Sequence, residues 1–556
     1  MERIFTVFVL MILSVLSLSG FAQEMWSKSW PTQMPIVKTP VFKKDTFNII
    51  AYGAISDGMT LNTKSINSAI DDCSKKGGGV VCVPRGLWVT GPIELKSNVN
   101  LHLKSDALLS FTKDLSQYKL VTTNWEGLGA VRNQSPVSGT DLINIAITGK
   151  GIIDGNGDAW RMVKKDKLTE SHWRNLIESG GYLSEDKKIW YPNASSLIGS
   201  KIKNAGVITE GVIVSDFAEV KDFLRPNMVV LTRCKNILLE GVTFQNSPAW
   251  NLHPLMSENI TIRNIYAKNP WYAQNGDGLD LESCKNVLVE NSVFDVGDDG
   301  ICIKSGRDAQ GRKRAMPTEN IVIKNCVVYH AHGGFVIGSE MSGGAKNIYV
   351  SDCTFIGTDI GLRFKTTRGR GGVVENIFIK NINMKDIVGE ALLFDMYYAA
   401  MDPIPAAGEK REAPKVQMLP ITEETPVFKN IYISNVVADG AAKAIFIRGL
   451  PEMNISNIFL ENITLLANKG IEIEEAKQIH LKNVTIISKE TKPVIKILNS
   501  SSIFFDIFKY KNGAELLFNI NGERSTNIVV SNTNIAGAIN KAEFNNDAQN
   551  QSLKIK

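Results

Sequence analysis

The sequence lacks several signals that usually reveal the class of a long protein. Its seven cysteines include no CxxC pair, its net charge is only +5, and no helical pattern separates its short apolar segments. A charge this small would indicate an acidic partner only if the basic residues were clustered. Past the N-terminus, no segment is apolar enough to cross a bilayer. What remains is a 556-residue chain of ordinary globular composition, 44% hydrophobic and 21% charged.

The N-terminus carries the longest apolar run. In MERIFTVFVLMILSVLSLSGFAQE, Arg3 precedes about fifteen mostly apolar residues, and the small-residue site Gly20-Phe21-Ala22 follows them. This pattern predicts a secretory signal peptide over residues 1–22, cut after Ala22, because the run is shorter than the roughly 20 residues of a membrane anchor. No cysteine follows the run, so we predict no lipid anchor. We therefore expect an exported protein without a membrane partner, periplasmic in a two-membrane cell and secreted otherwise.

One short phrase recurs along the chain: asparagine, apolar, any residue, apolar. Consecutive copies from Asn236 to Asn376 lie 23 to 34 residues apart. Each copy has the period-two alternation of a short strand, opened by a residue that favours turns. The copies are NIAIT at Asn144, NILLE at Asn236, NITIR at Asn259, NVLVE at Asn286, NIVIK at Asn320, NIYVS at Asn347, NIFIK at Asn376, NIYIS at Asn430, NIFLE at Asn457 and NIVVS at Asn527.

Repeats of this length indicate a solenoid. Because the repeated strands are short and no helices separate them, we predict an all-β protein built as a single right-handed parallel β-helix. The solenoid is placed at residues 47–540, after a lead segment at 23–46 and before a loose polar tail at 541–556. Two segments interrupt the rhythm, an insertion at about 155–228 and a proline-rich excursion at about 399–426. Loops of this length in a compact fold are usually functional or disordered.

An N-terminal helix is predicted to cover the open end of the solenoid, since such ends need a cap. In NTKSINSAIDDC, four apolar residues have helical spacing, with Asn62 as a candidate N-cap. They are Ile66, Ala69, Ile70 and Cys73.

The cysteines are interpreted as small core residues. Cys326 and Cys353 each lie six residues after a repeat asparagine, and Cys234 and Cys284 each lie two before one. Equal offsets would stack them in the core of neighbouring repeats. Cys73 and Cys82 flank a glycine-rich turn and could form a disulfide, which the spacing leaves open.

Charged and histidine side chains fall into one strip over five consecutive repeats. In a parallel solenoid, residues at similar offsets in successive repeats lie on one face, about 4.8 Å apart. A solvated face has no reason to collect these residue types, so the strip is a candidate functional site. Its members are His253, Asp277, Asp298, His332, Arg363 and Lys365, and Asp299 joins them as a third carboxylate.

The adjacent acids Asp298 and Asp299 need a local explanation, because neighbours on a regular strand point to opposite faces. In FDVGDDGICIKSG, Gly297 and Gly300 would permit a bend that turns both acids to one concave surface. With Asp277 one repeat away, crowding is expected to raise the pKa of at least one carboxyl, keeping it protonated near neutral pH. A protonated acid beside ionised carboxylates suits glycoside hydrolysis. Acidic pairs in the loops of exported β proteins also bind calcium or merely face water.

The residues of the strip belong to four short motifs that occur in a fixed order. They resemble the Asn-x-Asp, Asp-Asp, Gly-His-Gly and Arg-x-Lys motifs of the polygalacturonases, glycoside hydrolase family 28. The resemblance runs from about Phe47 to about Asn532, and the phrases HGGFVIGSEMSGG, LRFKTTRGRGG and LLFDMYY look like the bacterial exo-acting branch. Alanine replaces the first glycine of the third motif. The motifs stand as Asn275-Gly276-Asp277, Asp298-Asp299, Ala331-His332-Gly333 and Arg363-Phe364-Lys365.

The resemblance implies inverting hydrolysis of α-1,4-linked galacturonate, a pectic polysaccharide or oligogalacturonate as partner, and neither metal nor cofactor. It assigns Asp298 as the general acid, Asp277 and Asp299 as the residues that hold and activate water, and His332 as the residue that tunes the acid. Substrate contacts are expected from Arg363 and Lys365, which would bind uronate carboxylates, and also from Asn275, His253, Arg307 and Tyr397, with Trp250 and Tyr398 as further candidates for sugar contacts. We expect a monomer that binds no nucleic acid.

Three other interpretations of the same sequence differ in chemistry. A pectate lyase shares the β-helix but uses calcium and a basic residue, whereas paired acids favour hydrolysis. A hydrolase of another pectic linkage, such as rhamnogalacturonan or a galacturonate side chain, would keep the chemistry and change the substrate. A non-catalytic β-helix that binds polysaccharide would have no need of Asp298.

Overall fold

The computed structural model describes residues 36–398 and 417–556. The predicted signal peptide, most of the predicted lead segment and residues 399–416 of the proline-rich excursion lie outside these ranges. The described residues coil into a stack of parallel strands with two large sheets. Connections between parallel strands of one sheet are right-handed in nearly all proteins, and the predicted right-handed parallel β-helix is confirmed.

The repeat asparagines fix the register of the coils. Each takes the left-handed conformation, with φ of 58° at Asn236, 56° at Asn259 and 57° at Asn286. In this conformation each side-chain Nδ2 donates to the Oδ1 of the equivalent asparagine one coil earlier, over 3.2 Å from Asn259 to Asn236 and 3.3 Å from Asn286 to Asn259. Asn320 and Asn347 continue the same ladder. A partly buried ladder of this kind pairs polar groups that the turns would otherwise leave without partners.

The first large sheet consists of two rows of strands that merge between residues 345 and 488, where single long strands run through both rows. Every pairing between these strands is parallel, and neighbouring strands belong to successive coils. One row contains Thr46–Asn48, Gly79–Val83, Val99–Leu103, Ile143–Gly149, Lys235–Glu240, Glu258–Arg263, Lys285–Glu290, Thr318–Lys324, Ala345–Ile356, Val373–Lys385, Val427–Asp439, Ile455–Ala467, Ala476–Ser488, Ser501–Asp506, Thr526–Ser531 and Leu553–Ile555. The other contains Asp57–Leu61, Gly86–Thr90, Ala107–Phe111, Ile152–Asp154, Thr243–Gln245, Tyr266–Lys268, Val293–Asp295, Val327–Tyr329 and Lys509–Tyr510.

The second large sheet has 14 strands, stacked in chain order, and we call it the site sheet. Its strands are Ile93–Glu94, Val137–Thr140, Val229–Thr232, Leu252–Leu255, Leu279–Glu282, Asp299–Lys304, Gly333–Ile337, Leu362–Lys365, Glu390–Asp395, Lys443–Arg448, Lys469–Glu474, Ile495–Leu498, Ala514–Asn521 and Ala538–Asn545.

The core lies inside the coil and is built from alternate residues of each strand. Phe364 stacks on Phe394 of the next coil, with ring centroids 4.4 Å apart and planes 10° from parallel. The predicted core cysteines are found there: Cys234, Cys284, Cys326 and Cys353 all belong to the main apolar cluster. One expectation is wrong, because buried Cys302 lies outside that cluster, in strand Asp299–Lys304 between the core residues Ile301 and Ile303.

Helix Thr63–Lys75 is the predicted N-terminal helix, and its buried residues are the four that the spacing indicated. Asn62 occupies the N-cap position but makes no capping hydrogen bond. Its side chain instead ties together the backbone of Ile55, Thr60 and Val89. Cys73 and Cys82 are both buried free thiols, so the disulfide left open by their spacing is not formed.

Between strands Ile152–Asp154 and Val229–Thr232 the chain leaves the coil. This excursion contains strands Val163–Lys164, Tyr182–Leu183 and Ile189–Tyr191, helices Glu170–Glu178 and Ala194–Ser200, and the 3-10 segment Val214–Phe223. A hairpin of strands Leu120–Trp125 and Leu128–Asn133 packs beside it, since Val131 shares an apolar cluster with Ala205, Val220 and Leu224. The remaining helix is Asp308–Arg314, and shorter 3-10 segments are Ile49–Tyr52, Leu115–Gln117, Gly157–Ala159, Lys165–Lys167 and Asn550–Ser552. Among described residues, none of the helices has the length and apolar character needed to cross a membrane.

The C-terminus corrects a prediction. Residues 541–556 were expected to form a loose polar tail, but strand Ala538–Asn545 completes the site sheet and Leu553–Ile555 pairs with Thr526–Ser531. Leu553 packs against the main apolar cluster. Backbone pairing along a template strand orders this segment although its composition is polar.

We expect Asn286→Ala to destabilise the solenoid by about 2 kcal/mol, because it removes two ladder hydrogen bonds and because alanine tolerates the left-handed region less well than asparagine. Asn286→Gly removes the same hydrogen bonds but tolerates the conformation, so it should cost less. Denaturant unfolding of both variants measures the difference. Equal losses in the two variants would contradict the conformational part of this account.

Candidate active site

The predicted strip lies along five successive strands of the site sheet. His253 is in Leu252–Leu255, Asp277 precedes Leu279–Glu282 by two residues, and Asp299 opens Asp299–Lys304. His332 immediately precedes Gly333–Ile337, and the Arg363–Lys365 motif is in Leu362–Lys365. The parallel register pairs Asp299 with Gly333, which places His332 one coil above Asp298.

The two adjacent aspartates are separated by a bend. Residues 297 and 298 form the bend, and the strand begins at Asp299, so alternation does not force the two acids to opposite faces. The glycines contribute space rather than an unusual conformation, which corrects the expectation. A Cβ at Gly297 would stand 2.5 Å from the carbonyl oxygen of Pro270, and one at Gly300 would stand 2.4 Å from Val328.

Asp277, Asp298 and Asp299 converge, with oxygen atoms that all lie within 4.8 Å of one another. Asp298 accepts hydrogen bonds from the backbone N–H groups of Asn275, over 3.2 Å, and of Asp299, over 2.9 Å. Its Oδ1 also lies 3.1 Å from Nδ1 of His332. The Oδ1 of Asp277 is buried and has no partner among the described residues. Asp277 is therefore the member of the trio with a carboxylate oxygen that accepts no hydrogen bond from the described residues.

Asp299 is held by two cations. Nζ of Lys365 donates to one of its oxygens over 2.7 Å, and Nη1 of Arg363 donates to the other over 3.3 Å. Asp299 and Arg363 are 1% and 3% exposed, so these are buried ion pairs. Burial by itself opposes ionisation of Asp299, but the charges of Lys365 and Arg363 outweigh it and lower the pKa of that carboxyl.

The Asp298–His332 pair favours the ionised form of both partners. Burial opposes charge on Asp298, yet the charge and hydrogen bond of His332 hold its pKa well below the usual range. The pKa of His332 is raised in turn, since Asp298 outweighs the effect of burial, and Asp359 lies 3.7 Å from its other nitrogen. Asp298 therefore favours its ionised form and is not the carboxyl that holds a proton.

Asp277 is the member of the trio that favours its protonated form. Burial raises its pKa most, and the negative charges of Asp280 and Asp298 raise it further. Crowding thus does raise the pKa of one carboxyl, as predicted, but it acts at Asp277. The pKa of Asp277 is raised and the pKa of Asp298 is lowered. The site therefore contains one carboxyl that favours holding a proton beside neighbours that favour the ionised form.

A buried charge network beside the trio was missed in the sequence. Nζ of Lys304 lies 3.6 Å from Asp280 and 3.1 Å from Glu340, and all three residues are at most 7% exposed. A signal for it existed: Lys304 and Asp280 alternate with the core residues Ile303 and Leu281, which places them on the opposite face of the sheet. Buried charges on that face indicate a covered polar cleft.

Two of the predicted substrate-binding residues, Asn275 and Arg307, contact neighbouring residues of the protein. Asn275 has a left-handed backbone, with φ of 50°, and its Oδ1 accepts a hydrogen bond from Arg225 over 2.9 Å while its N–H reaches Asp298. Arg307 lies 3.4 Å from Glu126 of the hairpin and 3.4 Å from Asp308. Asn275 is thus part of the site's frame, and Arg307 joins the hairpin to helix Asp308–Arg314.

His253 is not placed as expected, whereas a sugar contact of Tyr397 remains a prediction. His253 is 1% exposed, and its ring nitrogens are occupied by Glu282 at 3.0 Å and Asn227 at 3.1 Å, so no polar atom remains for a substrate. The ring of Tyr397 lies beneath Arg368 and Arg448, at 5.4 Å and 5.2 Å. Its neighbour Tyr398 is the tyrosine that contacts the cation motif, 5.0 Å from Lys365 and 5.5 Å from Arg363.

Three converging carboxylates could also offer ligands to a cation. Oxygen ligands of this type suit calcium or magnesium. Here, however, Asp299 already binds Lys365 and Arg363, and Asp298 binds His332. The side chains themselves supply the positive charge that a metal would bring, so this donor set fits acid–base chemistry better than a resident cation.

Comparison with known proteins places this geometry in a family. The model of Glycosyl hydrolases family 28 matches residues 217–436, which contain all four motifs. The crystal structure of a hyperthermoactive exopolygalacturonase from Thermotoga maritima is 32% identical, with a TM-score of 0.60 over 78% of this chain and 89% of that one. A probable polygalacturonase of Vitis vinifera is 29% identical over 77% of this chain and 75% of its own length.

A third similar protein is an exo-poly-alpha-D-galacturonosidase of Dickeya chrysanthemi, 30% identical over 63% of this chain. The matched part spans 57% of that enzyme. The solved relative is similar along nearly its whole length, and the four motifs lie in the matched range on one face of the same fold. The chain belongs to glycosyl hydrolases family 28.

Proposed function

We propose that this protein hydrolyses the α-1,4 bonds between galacturonate units of pectin, with inversion and from a chain end. The observation that carries the proposal is the convergence of Asp277, Asp298 and Asp299 beside Arg363 and Lys365. Carboxyls whose environments separate their pKa values can divide acid and base roles. Guanidinium and ammonium groups suit the carboxylates of a uronate chain. Similarity to proteins named for exo action on galacturonan supports this substrate.

In this proposal Asp298 donates a proton to the glycosidic oxygen, and Asp277 and Asp299 hold and activate the attacking water. The lowered pKa of Asp298 and the raised pKa of His332 favour the proton on His332 rather than on Asp298. A substrate carboxylate near Arg363 and Lys365 would add negative charge where these cations now lower the pKa of Asp298. The bound substrate would thereby favour transfer of the shared proton from His332 to Asp298, which prepares the acid only when substrate is present.

Arg363 and Lys365 retain capacity for a substrate. Nε of Arg363 is buried and has no partner among the described residues. Lys365 uses one of its three donors on Asp299. Both can therefore hold Asp299 and a uronate carboxylate at the same time, with Tyr398 beside them.

Inversion is proposed from the family resemblance rather than from spacing. Carboxyl groups of inverting glycosidases usually stand roughly 6.5–9.5 Å apart, with water between them. The nearest oxygens here lie within 4.8 Å. With three carboxylates, Asp277 and Asp299 can hold the water, which for inversion attacks the sugar from the face opposite the oxygen that Asp298 protonates.

Exo action is supported by the way residues 155–228 surround the site. Tyr272 packs against the apolar cluster of Val163, Trp173 and Trp190, and Lys167 lies 5.7 Å over the ring of Trp271. Both contacts reach the loop that ends at Asn275. The excursion therefore supports the loop next to Asp298 and can close one end of the substrate cleft.

We also propose that the protein is exported and acts as a monomer. The export proposal rests on the signal-peptide pattern of residues 1–22, which lie outside the described residues. An exo-enzyme in the periplasm would suit oligosaccharides that have already crossed an outer membrane.

Asp298→Asn should lower kcat about 10³-fold on polygalacturonate, because an amide cannot supply the proton. Initial rates of reducing-end release measure it. Asp295→Asn is the matched control: it lies in the same coil and also pairs with a histidine, His330, at 3.0 Å. Full activity of Asp298→Asn on every pectic substrate would refute the catalytic assignment.

Asp277→Asn should abolish activity and yet stabilise the fold at pH 7 by about 1 kcal/mol, since it removes a buried carboxyl without a full set of partners. A raised folded-state pKa costs stability progressively as the pH rises above the unfolded-state pKa of roughly 4, and it costs nothing below that pKa. The gain should therefore disappear when unfolding is measured at low pH. Exposed Asp439→Asn is the control, and a gain independent of pH would contradict the assignment.

A digest of de-esterified polygalacturonate in the presence of a chelator should release galacturonate as the product from the first minutes, resolved by chromatography. Proton NMR of that product should show the β anomer before mutarotation. Early mixed oligomers would exclude exo action, and ultraviolet-absorbing unsaturated products would indicate a lyase. Activity confined to a branched pectin fragment would keep the site and change the substrate.

A further inference from the structure

A groove of about 520 Å³ continues along the site sheet on the coils that precede the catalytic trio. Its floor includes residues of strands Val137–Thr140, Val229–Thr232 and Leu252–Leu255, and the hairpin Leu120–Asn133 forms its wall. Val230 and Asp299 are on strands three positions apart, roughly 14 Å at about 4.8 Å per strand. The groove therefore lies on the same sheet as the site, about three coils from the place of bond cleavage.

Arg132 is the unexplained charge in this groove. It is 6% exposed, and its side chain makes no hydrogen bond or ion pair with any described residue. Its guanidinium lies 3.7 Å from the ring of Trp125, which fixes its plane. Burial lowers the pKa of Arg132 to about 9, opposed by the charge of Glu126, and this still leaves it a cation at neutral pH. A buried arginine is normally paired, because an unpaired buried charge is costly.

Amide oxygens without partners surround the same space. The Oδ1 atoms of Asn124, Asn133 and Asn227 are buried and have no donor among the described residues. All three residues line the groove and are at most 8% exposed. One cation and several hydrogen-bond acceptors complement a molecule that offers a carboxylate and hydroxyl groups.

We propose that this groove is a distal sugar-binding subsite in which Arg132, stacked on Trp125, binds the carboxylate of a uronate unit remote from the scissile bond. The proposal rests on the proposed function, since the sugar would belong to the same galacturonan chain. The planar guanidinium can bind a carboxylate through two parallel hydrogen bonds. The asparagine oxygens would accept hydrogen bonds from sugar hydroxyls.

The subsite is positioned by the excursion that follows strand Ile152–Asp154. Val131, next to Arg132, is buried against Leu224 and Val220 of that excursion. Trp125 stacks on Trp250 at 5.6 Å, and Trp250 lies 4.9 Å from Lys304 of the buried charge network. The hairpin thus presents Arg132 from a rigid support that extends from the excursion to the catalytic strand.

The test compares kcat/KM for galacturonate oligomers of increasing length in wild type and in Arg132→Met. Oligomers long enough to reach the groove should lose about 10- to 100-fold with Arg132→Met, as expected for a charge-assisted contact, whereas the shortest substrates should be unchanged. Arg132→Lys should recover part of the loss. The matched control is Arg233→Met, which removes a groove-lining arginine that is half exposed and already paired with Asp141.

The Tm of Arg132→Met distinguishes the two roles of Arg132. If Arg132 were a structural residue, its loss would lower the Tm. An unpaired buried charge does not stabilise the empty fold, so Arg132→Met should leave the Tm unchanged or raise it. Superimposable length profiles for wild type and Arg132→Met would overturn the subsite. So would an equal loss at every length, or a lowered Tm accompanied by that loss.

The proposal and the proposed function can fail separately. If wild type hydrolyses galacturonan and the length profiles coincide, only the subsite is wrong. If wild type hydrolyses no galacturonan, calorimetric titration of wild type and Arg132→Met with tetragalacturonate still tests the groove. Weaker binding by Arg132→Met would then support it. Equal binding, no binding, or equally strong binding of free galacturonate in place of the tetramer would overturn it.

Discussion

Everything in this protein depends on the register between coils. Left-handed asparagines, each bonded to the asparagine one coil below, hold each turn at the same height as its neighbour. Because the turns are aligned, the strands that follow them are aligned, and residues from five separate coils meet on one sheet. Asp298 and His332 are 34 residues apart in sequence and 3.1 Å apart in space for this reason. A slip of one residue would move strand members such as Arg363 and Lys365 to the other face.

Given that register, the chemistry is a matter of how positive charge is distributed among neighbouring carboxylates. Asp299 receives Lys365 and Arg363, Asp298 receives His332, and Asp277 is left with an oxygen that has no partner. The same burial therefore has opposite results, an ionised carboxyl where cations are close and a protonated one where they are not. Such separation of pKa values between similar groups is what an acid–base site needs.

Much of this could be predicted from sequence, because the repeating asparagine phrase reports the period of the fold and the offsets within it report which residues share a face. The trio, His332 and the Arg363–Lys365 motif were found in this way. The ion pairs of Lys304 were not, since a lysine inside an apolar run gives no sign of its partners. His253 had the right offset, but only the structure shows both its nitrogens occupied. The C-terminal strand was missed because pairing with a preformed coil can order a polar segment that composition alone would leave loose.

Arg132 shows a second limit of prediction from the sequence. It belongs to no repeat and no motif, because the hairpin that carries it lies outside the coil rhythm. Its importance lies in an absence within the described residues: it forms no ion pair, and the charge of Glu126 only partly opposes the effect of burial, whereas Lys304, Arg363 and Lys365 each contact a carboxylate. Asp277 also keeps a buried oxygen without a partner, although its raised pKa favours the neutral form. Buried polar groups without partners weaken a fold, so a fold that keeps Arg132 and Asp277 is complementary to something that supplies the missing partners. A chain bearing a carboxylate on every unit, cleaved by water, supplies both.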